Sequence, residues 1–352
     1  MPTMNQTIKK TLLFLIKAAI ILSIFVYLFY QAYHNDAFSE FLTRPKNWGY
    51  LGLALLAHCV AVTITIVRWQ FLLKALGVPL KLQEALRIGY LSFLFNLAPV
   101  GIVSGDGVRF YMLFHRFPED RAKSFASIVM DRAIGLYIMF LIAVVAIFTT
   151  GFHSLQITPG DMAFVATIVR GMLLLLGLST AIALLVLLPD LKRGTGARLL
   201  DRCCGRVPKL KSVLLAVQGY RYHKRALVTA GMMTFAVHGL FCYGIWLIAL
   251  GFYGYAPSAA EHLVLHPVAN VTQLIPLAAG PYEMVLDKIY TFFPIAGHET
   301  YRCGYGLLIA LGYRLISLLL GGIGVLYYLT GLQTSGFRFQ DLSETRSPES
   351  DD

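Results

Sequence analysis

Charge is scarce in this chain. Of its 352 residues only 14% are Asp, Glu, Lys or Arg, while 57% are apolar. An ordinary soluble domain carries roughly a quarter charged residues. So little polar surface cannot cover a soluble core of this size, which excludes a soluble fold. The signatures of several chemistries are missing too. There is no Walker lysine motif, so direct ATP drive has no support. GxSxG and HExxH are absent as well. The five cysteines lack CxxC spacing: Cys203 and Cys204 are adjacent, and Cys59 and Cys242 lie in apolar runs as small filler. Composition and motifs therefore call for no cofactor, no metal, no disulfide framework and no catalytic residue.

What is present is apolar length. Six segments can each cross a membrane, roughly 11–33, 49–74, 124–150, 162–188, 226–252 and 304–330, since about 20 apolar residues span a hydrocarbon core of about 30 Å. The first run follows Lys9, Lys10 and Lys17 but leads to no small-x-small cleavage site, so it reads as an uncleaved span. Two further segments, near 83–105 and 261–283, are apolar but broken by Pro and Gly. The expected fold is thus an all-α polytopic membrane domain over 1–330. The tail, 331–352, is polar and acidic and reads as disordered.

Net charge is +11, with the basic residues gathered between apolar runs. The 189–225 loop carries ten Lys and Arg against Asp190 and Asp201, which places it in the cytoplasm. The basic N-terminus belongs on the same side. Those two placements agree if 83–105 re-enters the membrane instead of crossing it. For 261–283 the flanking charge leaves crossing and re-entry both open. The two broken segments also resemble each other. Asn96-Leu97-Ala98-Pro99-Val100 aligns with Gln273-Leu274-Ile275-Pro276-Leu277, and an acid follows each proline by seven positions, Asp106 and Glu283. Each is followed by a span with an arginine deep in it, Arg132 and Arg314. Paired broken segments of this kind point to an inverted repeat with a site between its halves; chance is the other reading of two short matches.

Six residues stand out as candidate substrate-binding positions: Asp106, Arg109, Asp131, Arg132, Glu283 and Arg314. Asp131 and Arg132 lie roughly 10–15 Å into the membrane by helical rise. A charge there costs about 2.5–3.5 kcal/mol even on lenient scales, so it faces a partner or a wet cavity. A structural ion pair, headgroup binding and proton coupling all fit. Ser104 or Asp106 can cap a helix where the first broken segment turns, with Arg109 one turn on. Other candidates are weaker. Arg170 can snorkel to the interface. His262 and His266 have the spacing of a metal pair but no third ligand. His58 and His238 read as hydrogen-bonded packing residues. Glu283 and Asp287 could pair as carboxylates, or form a charge cluster with Lys288.

The runs FNLAPVGIVSGDGVR, VMDRAIGLYIMFL, QLIPLAAGPYE and YRLISLLLGGIG, taken in order, resemble the lysylphosphatidylglycerol synthase transmembrane-region family, also called flippase-like. The resemblance implies a lipid-translocating membrane module and carries over the six residues named above. No soluble aminoacyl-transfer domain follows the last span, so a synthase activity is not implied. The expected function is a lipid flippase of the cytoplasmic membrane, acting on an anionic or lipid-linked amphiphile without its own ATPase. Its partners would be that lipid and a separately encoded lipid-modifying synthase, with no nucleic acid. A membrane-embedded lipid transferase and a non-catalytic partner of a synthase are the alternatives.

Overall fold

The apolar runs form helices throughout a computed structural model, which describes Ala19, 21–96, 102–155, 157–187, Arg202, 208–275, Leu277, 279–293, Ile295 and 301–334. The helices, in chain order, are α1 (Ile21–His34), α2 (Ala37–Thr43), α3 (Trp48–Ala75), α4 (Leu82–Asn96), α5 (Ile102–Arg116), α6 (Arg121–Thr149), α7 (Pro159–Leu187), α8 (Pro208–Gly219), α9 (Lys224–Tyr253), α10 (His262–Val271), α11 (Pro281–Tyr290) and α12 (Tyr305–Thr334). Five of them, α3, α6, α7, α9 and α12, are long and apolar enough to cross a membrane. The chain is a multi-pass, all-α membrane protein. The expected first span is described only from α1 onward, and 1–18 lies outside the described residues. So do Cys203 and Cys204, most of 189–207, and the tail from 335. The last helix runs to Thr334, four residues past the boundary read from composition.

Both broken segments fold as antiparallel helical hairpins. In the first, α4 and α5 pack together and their outer ends meet where Arg116 Nη2 lies 3.5 Å from Glu84 Oε1. At 15 residues each, these helices reach about 22 Å, short of a full crossing. In the second, α10 and α11 are 10 residues each. Tyr290 donates its hydroxyl proton to His262 Nε2 at 2.8 Å, since His262 Nδ1 already donates to the Ser258 carbonyl. Nearer the turn, His266 Nδ1 and the Tyr282 hydroxyl are 3.2 Å apart. The prolines expected at the turns, Pro99 and Pro276, lie outside the described residues.

The packing is two-fold. Exchanging α3, α4, α5 and α6 for α9, α10, α11 and α12 turns each helix contact into another that is also made. Thus α4 rests on α12 as α10 rests on α6, and α3 packs against its counterpart α9 at the centre. The central pair is antiparallel. Asn47 N–H donates to the Gly251 carbonyl at one end, and Tyr220 donates to the Leu72 carbonyl at the other. The first hairpin therefore opens at the end carrying α8 and Tyr220, and the second opens at the opposite end. Outside this frame, α7 packs on α6 but buries little of its own surface.

Two glycines seat the first hairpin by close backbone approach. A Cβ on Gly105 would stand 2.2 Å from the Ser92 carbonyl oxygen and 2.1 Å from Asn96 Oδ1, so α5 meets α4 backbone to backbone. A Cβ on Gly324 would stand 2.5 Å from the Tyr90 carbonyl oxygen, which seats α12 against α4. Backbone cannot yield as a side-chain tip can, and overpacking of this kind costs about 1–3 kcal/mol. We predict that Gly105→Ala lowers stability in detergent by at least that amount. Gly107→Ala, whose Cβ meets nothing within 4 Å, should be neutral or slightly stabilising. Equal thermal shifts for the two would contradict the hairpin contact.

Candidate functional site

Hairpin α4–α5 is tied to α6 by two rungs of opposite polarity. On α5, Asp106 and Arg109 lie three residues apart and so share a helix face. On α6 they meet the adjacent residues Arg132 and Asp131. Arg132 donates Nε to Asp106 Oδ2 and Nη2 to Asp106 Oδ1, both at 2.7 Å, a bidentate fork. The second rung is stretched: Arg109 Nη1 stands 3.6 Å from Asp131 Oδ2.

The cause of the stretch is a competitor. Arg68, on α3, donates Nε to Asp131 Oδ1 at 2.8 Å and Nη1 to Thr234 Oγ1 on α9 at 2.8 Å. Thr234 can accept because its own hydroxyl proton goes to the Ala230 carbonyl. One carboxylate thus serves two arginines, and the nearer takes the hydrogen bond. Arg68 and Arg109 are each 4% exposed and Asp131 is 1% exposed. Nε and Nη1 of Arg109, and Oδ2 of Asp131, have no hydrogen-bond partner among the described residues. The Arg109 guanidinium lies 4.9 Å over the Trp69 ring, a cation–π contact that partly offsets its burial. Arg68, Arg109 and Arg132 against Asp106 and Asp131 leave one positive charge in excess.

The matching place in the other half is neutral. Arg314 on α12 donates Nε to Glu283 Oε1 at 2.6 Å, as Arg132 does to Asp106. The other Glu283 oxygen accepts the Gly280 N–H at 2.7 Å. Gly280 has φ of +105°, a value that favours glycine, and the turn into α11 follows from it. Glu283 is fully buried and both of its oxygens are used.

All six candidate positions are therefore charged pairs, though not one shared cluster. Asp106, Arg109, Asp131 and Arg132 come together; Glu283 and Arg314 form a second pair in the other half. Three expectations are corrected. The α5 helix begins at Ile102, so Asp106 does not cap it, because its carboxylate is held by Arg132. The Ser104 side chain lies outside the described residues. Glu283 and Asp287 do not pair: Asp287 accepts the N–H groups of Gly304 and Leu307 at 2.7–3.0 Å and anchors the start of α12. Lys288 joins neither of them and pairs with Asp161 on α7 at 2.8 Å. His58 and His238 hydrogen-bond the Ala54 and Gly135 carbonyls.

Arg68 and Thr234 were missed in the sequence. Arg68 stands seven residues before the end of α3, close enough to read as an interfacial residue. A second polar knot was missed outside the spans, where Glu40 of α2 accepts hydrogen bonds from Tyr305 and Tyr255 and pairs with Arg44 at 2.5 Å. Burial alone would raise the Glu40 carboxyl, but those donors outweigh it and hold it below the usual glutamate range.

The chain matches the family described as "Lysylphosphatidylglycerol synthase TM region" over residues 14–324, and it belongs to that family. The match takes in both hairpins and every residue of the site. No curated protein matches the chain with significance.

The shared carboxylate makes an energetic prediction. Asp131→Asn leaves two buried arginines uncompensated and should cost about 3–5 kcal/mol, read as loss of thermal stability in detergent. Adding Arg68→Gln should recover part of the loss, because these neighbours couple. Additive losses would contradict the sharing.

Proposed function

We propose that this member of the lysylphosphatidylglycerol synthase transmembrane-region family is a flippase for an anionic or lipid-linked amphiphile, driven without an ATPase of its own. In this reading the two hairpins re-enter the cytoplasmic membrane from opposite faces. The N-terminus and the basic 189–225 loop lie in the cytoplasm. The observation that carries the proposal is the buried positive excess at Arg109. A buried cation with unused donors is costly unless something anionic completes it, and a lipid phosphate supplies the acceptors its free N–H groups need.

The rest of the cluster then has defined roles. Asp131 and Arg68 hold the site at the junction of α3, α6 and α9, and Arg109 reads the headgroup. The Asp106–Arg132 fork, partly exposed at 21% and 36% of its side chains, tethers hairpin α4–α5 to α6 where headgroup charge can compete for it. Glu283–Arg314, its counterpart, tethers the opposite hairpin. A phosphate passing between them meets an arginine on each side of the pseudo-two-fold axis. Inverted repeats move substrates in this way, by rocking one half against the other around a fixed site. The binding free energy of the headgroup itself shifts which hairpin is released.

A structural arginine and a substrate-reading arginine respond oppositely to neutralisation. Arg109→Gln removes the excess charge, so the protein should remain folded with unchanged or slightly higher thermal stability. Transport should fall at least about tenfold, since a charge-assisted hydrogen bond contributes about 1.5–3 kcal/mol. The measurement is translocation of phosphatidylglycerol, lysylphosphatidylglycerol and a polyprenyl-linked sugar in liposomes holding the purified protein. Wild-type movement of one of these, lost in Arg109→Gln, is the expected result. A variant that is destabilised yet still transports would overturn the reading. No movement by the folded wild type would shift the weight to a lipid transferase or a synthase partner.

A further inference from the structure

A second basic concavity lies at the membrane boundary, where α3 ends and α9 begins. Phe71 and Lys74 of α3, Arg221 and Tyr222 of the turn Tyr220–Tyr222, and Lys224 and Arg225 of α9 line a groove of about 770 Å³. No acidic residue lines it among the described residues. Lys74, Lys224 and Arg225 are exposed, and none of the three forms an ion pair among the described residues. The walls are fixed to each other by the hydrogen bond from Tyr220 to the Leu72 carbonyl at 2.9 Å. The cations therefore sit on a built surface and not on a loose loop.

The groove has an apolar extension along the same helix. From Arg225, offsets of three, seven and ten residues reach Val228, Met232 and Phe235, which share one face of α9. They are 67%, 66% and 40% exposed. This stripe runs from the cations into the span. Phe71 and Tyr222, 38% and 64% exposed, flank the boundary at the level where aromatic side chains favour the headgroup region. A soluble polyanion would use the cations and leave the stripe idle. An amphiphile with a phosphate headgroup and an acyl chain uses both.

We infer that this groove holds a resident anionic phospholipid, its phosphate on Lys74, Lys224 and Arg225 and its chain along Val228, Met232 and Phe235. The lipid belongs to the leaflet at the end where hairpin α4–α5 opens, and it bridges the ends of the two central helices α3 and α9. The site lies at the rim and shares no residue with the Arg109 cluster, so the inference stands whether or not that cluster moves a lipid.

The test is lipid retention by the purified full chain, offered equal phosphatidylglycerol and phosphatidylcholine and read by native mass spectrometry. Wild type should retain phosphatidylglycerol selectively. The triple variant Lys74→Gln, Lys224→Gln, Arg225→Gln should retain it about a hundredfold less, and Lys224→Gln alone about fivefold less, as expected for charges near a membrane surface. The single variant keeps the inference open to test if the triple variant does not fold. Lys123→Gln, which removes an exposed cation at the start of α6 that does not line the groove, should retain the lipid as wild type does. Thermal stabilisation by phosphatidylglycerol but not by free glycerophosphate should accompany retention. Undiminished retention in the folded groove variants, equal retention of phosphatidylcholine by wild type, loss of retention in Lys123→Gln, or equal stabilisation by glycerophosphate would each overturn the inference.

Discussion

One carboxylate placed between two arginines organises the middle of this protein. Asp131 draws Arg68 from α3 and faces Arg109 from α5, while its neighbour Arg132 grips Asp106. Two helices, α3 and α5, therefore converge on two consecutive residues of α6, and Thr234 of α9 holds Arg68 from the other side. In an apolar medium such charges cannot be left to water, so their partners dictate how the helices pack. The stoichiometry is uneven, however, and Arg109 is the group left short. A structure built only for stability would have no reason to keep that excess, because replacing buried ion pairs with well-packed apolar residues is often neutral or stabilising.

The two halves share a frame and differ in electrostatics. Each has a long helix, an antiparallel hairpin and a second long helix whose arginine grips an acid in the hairpin's second arm. In the second half, Glu283 spends one oxygen on Arg314 and the other on the Gly280 N–H, which leaves a satisfied and neutral staple. In the first half, the acid meets its arginine through both oxygens and a further pair of arginines competes beside it. In the function we propose, the charged half reads the headgroup and the neutral staple tethers the opposite hairpin. Close backbone contacts at Gly105, within the first hairpin, and at Gly324, between α12 and α4, seat that hairpin tightly enough for its short side-chain reaches.

Much of this was legible in the sequence because the membrane simplifies the rules. Apolar length marked the spans, and Pro and Gly marked the two broken segments that fold as hairpins. The cost of an intramembrane charge singled out Asp131, Arg132 and Arg314. Partner choice was not legible. Asp106 looked like a helix cap because its local sequence permits one, yet a bidentate arginine 26 residues away is the stronger partner. Asp287 looked like a partner for Glu283 by its spacing, but it serves the backbone of the next helix. Arg68 escaped notice because seven residues from a helix end is within snorkelling reach, and only the tertiary fold turns it inward to Asp131.

The central claim is that Arg109 is completed by a lipid phosphate, and the direct measurement is a nuclear distance. Solid-state NMR on the nitrogen-labelled protein in its own co-purified lipid can detect dipolar coupling between arginine guanidinium nitrogens and lipid phosphorus. The account predicts a coupled guanidinium signal, at a separation of about 4–5 Å set by an N–H···O–P hydrogen bond, that disappears in Arg109→Lys. Phosphorus coupling confined to arginines at the membrane surface, with the Arg109 signal unaffected by lipid phosphate, would contradict it.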